Sequence, residues 1–214
     1  MSVWNVNKAE QQLNKSFDNN SETELLKVLK NNSFLFYELY SRKYGIQPNF
    51  KEISFGGKYR CDFAWLNDNS DGPEWVLVEI EKPKMELFAK NLEPRAELNH
   101  SIEQVKSWIR YFNENPAEKR RIFGAVSRFK YILVAGDIED WGTEAAIKWR
   151  AYHNSVDPIE IRSSNIFKKA IKIAKEKPEE LWSFEENPKS LKSAELESYW
   201  TNYKYMDRWR QIMK

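Results

Sequence analysis

The chain has 214 residues, with 34 Lys and Arg against 32 Asp and Glu, a formal net charge of +2, and 41% hydrophobic residues. That length fits one domain with an appendage and permits a buried core; the charge balance excludes a polybasic protein that binds nucleic acid by bulk charge alone, while leaving a local basic groove open. The single cysteine, Cys61, excludes an internal disulfide or a cysteine-based zinc cluster and suits a reducing, cytoplasmic setting, and no apolar run approaches a membrane span.

The opening around Trp4 and Val6 does not read as a signal segment. Residues 1–20 are polar and rich in Asn and Gln, which predicts a loosely held lead-in. Ser21 followed by Glu24 is a capping box before Leu25, Leu26, Val28 and Leu29. A second helical stretch is expected from Asn32 or Ser33 through Tyr40, closed by Gly45 and Pro48. Phe50, Ile53 and Phe55 then read as strand-like, and Gly56-Gly57 marks a hairpin. Tyr59 to Leu66 is the second strand, Asn67 to Pro73 a polar turn, and Glu74 to Ile80 the third strand, stopped by Pro83. Helical spacing returns from Glu93 to Asn113. Tyr131–Ala135 reads as a buried parallel strand, Thr143–His153 as a helix, Pro158–Ile161 as a short strand and Ser164–Glu176 as a helix. After Pro178 the pattern is helical throughout. The fold class expected is α/β: a mixed β-sheet core flanked by helices, with a helical C-terminal extension. The domains expected are a lead-in at 1–20, a core at 21–177 and the extension at 178–214.

The chemistry concentrates in Arg60-Cys-Asp62-Phe63 and in Leu77-Val-Glu79-Ile-Glu81-Lys82-Pro83. Residues two apart on a strand share a face, so Glu79 and Glu81 point together and antiparallel pairing can bring Asp62 beside them. Three carboxylates at one sheet end are costly unless a cation neutralises them, and hard oxygen ligands suit Mg²⁺ or Mn²⁺. The bland alternative is a set of ordinary strand charges paired with Lys58, Arg60 and Lys82. On the following helix, Ile102, Val105, Ile109 and Phe112 form one apolar stripe. His100, Gln104 and Tyr111 lie roughly opposite, with Trp108 between. Gln104 therefore either faces a site or is simply exposed.

These motifs resemble the PD-(D/E)XK nuclease core. From about Tyr37 to Phe112 the segment is similar to the Shedu-type anti-phage defence nucleases, through Asp62-Phe63, Leu77-Val78-Glu79-Ile80 and Gln104-Val105. The resemblance implies a restriction-endonuclease-like sheet and a Mg²⁺- or Mn²⁺-dependent endonuclease or nickase acting on DNA rather than RNA. It implies metal ligation by Asp62 and Glu79, and places Gln104 near the attacking water or scissile phosphate. Trp108 stands where related proteins carry Tyr, and Glu38 matches by position an acid that an upstream helix often supplies. The pattern departs at Glu81, where the usual residue is Lys. Glu81 would serve as base or third metal ligand, or Lys82, or less well Lys84, would replace the missing cation; otherwise the domain is a degenerate module that binds nucleic acid or a protein partner.

Lys58, Arg60, Lys106, Arg110, Arg120, Arg121, Arg128 and Lys130 are the candidates for a groove that tracks phosphates, or else a solvated surface. His153 and Cys61 read as packing residues, with Cys61 expected to face away from Asp62, and Gly136-Asp137 reads as a turn. The C-terminal aromatics, from Trp182 to Trp209, suit packing or a homo-oligomer interface better than base stacking.

Overall fold

The computed structural model describes residues 3–90 and 93–213. The N-terminal fifth is helical: α1 spans Val6–Asp18 and α2 spans Glu22–Asn31. The expected lead-in is thus an ordered helix, because Ala9, Leu13, Ser16 and Phe17 recur at helical spacing and are buried among the polar residues that dominate its composition. Asn5 caps α1, its side chain accepting from the Lys8 N–H at 2.9 Å. Ser21 caps α2, accepting from the Glu24 N–H as the sequence predicts. The second helical stretch shrinks to a single 3-10 turn, Ser33–Phe36. All four of its residues are buried, so packing rather than propensity fixes it.

The strands are β1 (Phe50–Phe55), β2 (Tyr59–Asn69), β3 (Gly72–Ile80), β4 (Arg128–Val134), β5 (Ile159–Arg162) and β6 (Leu191–Lys192). They form one mixed six-stranded sheet in the order β5-β4-β3-β2-β1-β6. β1, β2 and β3 are an antiparallel meander, and β4 and β5 add in parallel to β3. The polar turn expected between the second and third strands narrows, since β2 runs on to Asn69 and β3 begins at Gly72. The all-helical reading after Pro178 is corrected by β6, which pairs in parallel with Phe50 and Lys51. Two residues are too few to show a period. At the hairpin, Gly56 has φ +59° and a Cβ there would come within 2.7 Å of the Tyr111 ring, so only glycine fits.

Helices cover both faces, as expected for an α/β fold. One layer holds α1, α2 and α6 (Asn165–Glu176) against Phe63, Trp65, Val76 and Val78. The other holds α3 (Ala96–Glu114), α4 (Pro116–Phe123), α5 (Glu144–Val156), α7 (Leu196–Asn202) and α8 (Lys204–Ile212) against Ala64, Leu66, Trp75 and Leu77. The sequence did not separate α4 from the basic stretch it carries; Pro116 at its first turn starts it.

The C-terminal aromatics pack on their own chain. Trp200 donates to the Ile122 carbonyl at 2.9 Å, Tyr199 to Gln47 at 2.7 Å and Tyr205 to the Asn69 carbonyl at 2.6 Å, while Tyr203 bonds Asp68. Trp182 differs, being half exposed and stacked on the exposed Tyr44. At the opposite margin of the sheet, Asn154 clamps the outer side of β5. Its amide donates to the Ile161 carbonyl at 3.0 Å and accepts from the Ile161 N–H at 2.8 Å. Asp157 accepts from the Ile159 N–H at 3.1 Å. No helix among the described residues is long and apolar enough to cross a membrane.

Candidate active site

The register Phe63↔Val78 places Asp62 opposite Glu79 at the C-terminal end of β3. Regular alternation does not hold here. Cys61 and Ala64 pack in the same layer, and so do Phe50 and Ile53 on the neighbouring strand. Both strands therefore slip by one residue at the level of Asp62. Between the pairs Lys51↔Phe63 and Ile53↔Cys61, Glu52 stands at φ +56°, a conformation that costs a non-glycine residue free energy. Cys61 consequently does not sit in the opposite layer from the acids; its fully buried thiol is pushed up by burial first and then by the charges of Glu79 and Asp62.

Asp62 is 5% exposed and Glu79 8% exposed. Asp62 accepts the Ile80 N–H at 2.9 Å. Burial raises its pKa to about 6, against the lowering effect of that hydrogen bond. Glu79 is raised well above the carboxylate range, by burial first and then by the charges of Asp62, Glu81 and Glu22. Gln104 donates its amide to Glu79 Oε1. Glu79 Oε2 is buried with no hydrogen-bond partner. An acceptor in that condition is expensive to bury, and a cation is the ligand that suits it. The donor set, two adjoining carboxylates of hard oxygen, matches Mg²⁺ or Mn²⁺.

Glu81 lies just past β3, half-buried, its backbone N–H still bonded to the Val134 carbonyl at 2.9 Å. Burial raises its pKa, against the lowering hydrogen bond from Ser101 and the charges of His100 and Lys82, with Glu22 adding to the rise. The three acids do not converge on one point: among the described residues, no group of three or more His, Cys, Asp or Glu side chains is arranged to hold a metal ion. Lys82 and Lys84 are exposed. Trp108 is fully buried against Phe55 in the core rather than beside the acids.

Of the two upstream acids, Glu22 is the one whose charge reaches the site. Glu22, in the first turn of α2, acts on Asp62, Glu79 and Glu81 alike, whereas the charge of Glu38 falls on Tyr37 and Lys43. Two cations reach Asp62, namely Arg60 and Lys30, and Arg60 also reaches Glu79. Lys30 is held by Glu52 at 3.0 Å. Neither Glu22 nor Lys30 belongs to a motif; only the docking of α2 at this sheet end brings them in.

The remaining basic candidates do not form one track. Arg128 pairs with Asp71 at 2.7 Å and Glu74 at 2.5 Å, at the opposite end of β3 from Glu79. Lys130 pairs with Glu160 at 2.8 Å, Lys106 with Asp157 at 3.2 Å, Arg110 with Glu103 at 3.5 Å and Arg121 with Glu118 at 2.7 Å. Arg120, Lys58 and Arg60 are exposed. His153 is buried and stacked on Trp149, as a packing residue should be.

The fold and site define an α/β protein whose mixed sheet gathers buried carboxylates at the end of its central strands, under a helix that supplies an amide. The chain belongs to the Shedu family: the model described as Shedu protein SduA, C-terminal, matches residues 19–163, more than half of its length. That membership makes it an anti-phage defence protein. The matched span holds Asp62, Glu79, Glu81 and Gln104 and ends just after β5. No curated protein matches the chain.

Proposed function

We propose that this protein is a metal-dependent DNA endonuclease or nickase that hydrolyses phosphodiester bonds. The observation that carries the reading is Glu79 Oε2, a buried carboxylate oxygen without a partner, set beside a second buried carboxylate. Asp62 and Glu79 would hold Mg²⁺ or Mn²⁺, and Glu81, whose charge reaches Glu79, would be a further oxygen donor. When bound, such an ion lowers the pKa of water and stabilises charge on a phosphodiester under attack.

The chain's own groups would then divide the work. Gln104, anchored on Glu79 Oε1, has an amide that can turn to orient water or a phosphate oxygen. Glu81 cannot supply the positive charge of the usual Lys. It serves as a proton acceptor, its raised pKa lying nearer neutrality than that of a free carboxylate. Positive charge comes from Arg60 and Lys30, the cations whose fields reach Asp62, whereas the charge of Lys82 falls on Glu81.

The test is incubation with supercoiled plasmid in Mg²⁺, Mn²⁺ or EDTA, beside Asp62→Ala and Glu79→Ala. Metal-dependent nicking lost in both variants is the expected result. Nicking that persists in both variants, or its absence with either metal, overturns the proposal. A second reading, a non-catalytic binding module on this fold, is favoured by one observation: Gln104 closes one oxygen of Glu79 and Glu81 stands apart. Calorimetric titration with Mn²⁺ separates the two, because the module binds no metal at Asp62 and Glu79.

A further inference from the structure

At the β5 margin a cavity of about 530 Å³ opens between α5 and α6. Arg150, Arg162 and Lys169 line it together with Ser163, and its one carboxylate is Glu160. Glu160 is already neutralised, by Lys130 at 2.8 Å and Arg162 at 2.8 Å. Arg150 has no carboxylate partner among the described residues. Its guanidinium lies over the Trp141 ring, 4.7 Å from the centroid, and is half-buried. Burial and the like charge of Arg162 both act against its ionisation. A guanidinium stays charged in proteins; the one carboxylate, Glu160, is shared between Arg162 and Lys130, so the cavity keeps an excess of positive charge, carried by Arg150 and Lys169, that an anion relieves.

The position gives this cavity meaning. Ile80, Val134 and Arg162 are in register across β3, β4 and β5. The cavity therefore sits at the same sheet end as Asp62 and Glu79, two strand spacings away, or about 10 Å at ~4.8 Å each. The two places are therefore close enough for nearby phosphates of one strand to reach both. The ring face of Trp141 under Arg150 holds the fork in place, as stacked arginines at phosphate sites are held.

We infer that the cavity lined by Arg150, Arg162 and Lys169 binds a phosphate of the nucleic-acid backbone to one side of the carboxylate pair. This deepens the nuclease reading and rests on it for the identity of the strand. None of the three residues is among the basic candidates that the sequence singled out; the groove is assembled from an edge strand and the two helices that follow β4 and β5.

The experiment is fluorescence anisotropy of a labelled duplex oligonucleotide against the full chain, in EDTA, at a series of salt concentrations. Arg150→Gln and Lys169→Gln should each weaken binding several-fold and lower the slope of log K against log salt, by up to ~0.9 for each phosphate no longer neutralised. Arg150→Lys should recover part of the affinity. Lys169 is exposed, so its variant keeps the test alive if losing the Trp141 stack unfolds Arg150→Gln. Unchanged affinity and slope in folded Lys169→Gln and Arg150→Gln overturn the inference. A parallel titration with inorganic phosphate decides the source of the anion: Arg150-dependent phosphate binding beside Arg150-independent oligonucleotide binding also overturns it. Because binding is scored without metal, failure of the nuclease reading shows as lost nicking in the plasmid assay and leaves these slopes as they are.

Discussion

Glu74 and Glu79 stand on the same strand, five positions apart, and meet opposite fates. Glu74 accepts from Arg128 at 2.5 Å and from Asn67 at 2.8 Å. Burial raises its pKa, but the Arg128 and Asn67 hydrogen bonds outweigh that and bring it below the usual range. Glu79 is more deeply buried, has an amide on one oxygen and nothing on the other, and faces other carboxylates. The first arrangement is a finished ion pair that holds two chain segments together. The second leaves a buried oxygen without a partner, which the proposed cation would supply. The difference teaches that an acidic residue on a core strand is informative only through its partner, which residue type and burial do not reveal.

The comparison breaks most visibly in activity. Asp62→Ala or Glu79→Ala should lower metal-dependent plasmid nicking on the order of 10³-fold, whereas Glu74→Ala should stay within about twofold of the parent. Equal losses in Glu74→Ala and Glu79→Ala would show that both acids serve the fold alone.

Next in size is the response to metal. Saturating Mn²⁺, at 100 times its dissociation constant, adds about 2.7 kcal/mol of stability, which raises Tm by roughly 5–10 °C for a chain of this length. Adding EDTA should remove the gain, and Glu79→Gln should never show it. A gain that survives in Glu79→Gln places the metal elsewhere.

A third contrast is in pH. The folded pKa of Asp62, about 6, lies above its unfolded value near 3.9. Its ionisation therefore destabilises the metal-free fold, with no effect below about pH 4 and the full effect above about pH 6. Asp62→Asn in EDTA should raise Tm at pH 7 by about 6–12 °C, on the order of 3 kcal/mol, and the gain should vanish as pH falls to 4. A lowered Tm at pH 7 would mean that Asp62 is satisfied as it stands. The smallest effect is of opposite sign. Glu74→Gln should lower Tm at pH 7 by no more than about 2 °C, because its pair with Arg128 is open to solvent and screened. Added salt should shrink even that.

Much of this was legible in the sequence. The meander, the parallel strand at Tyr131 and the helix carrying Gln104 follow from apolar periodicity, and the adjacency of Asp62 and Glu79 follows from spacing on those elements, while Gln104, which helix position left between site and solvent, was singled out by the family resemblance. The remainder depends on contacts that no local pattern encodes. α1 was hidden by polar residues that cover a narrow buried stripe. β6 is too short to alternate. Glu22 and Lys30 reach the site only because α2 docks there, and Glu38 drew attention by chain position alone. Arg128 reads as basic in a string of letters, yet in space it belongs to Asp71 and Glu74. The slip at Glu52 and Asp62 shows only once the layer that Phe50, Ile53, Cys61 and Ala64 share is known.

Asn154 carries a consequence for how such a protein can assemble. Its amide occupies the N–H and C=O that Ile161 would offer to another strand, and Asp157 takes the N–H of Ile159. The β5 margin therefore ends the hydrogen-bonding ladder instead of extending it. Growth of the sheet from molecule to molecule, the common route to fibres, is stopped there by two side chains. Association across this margin must use side-chain chemistry, where a single substitution can tune or abolish it.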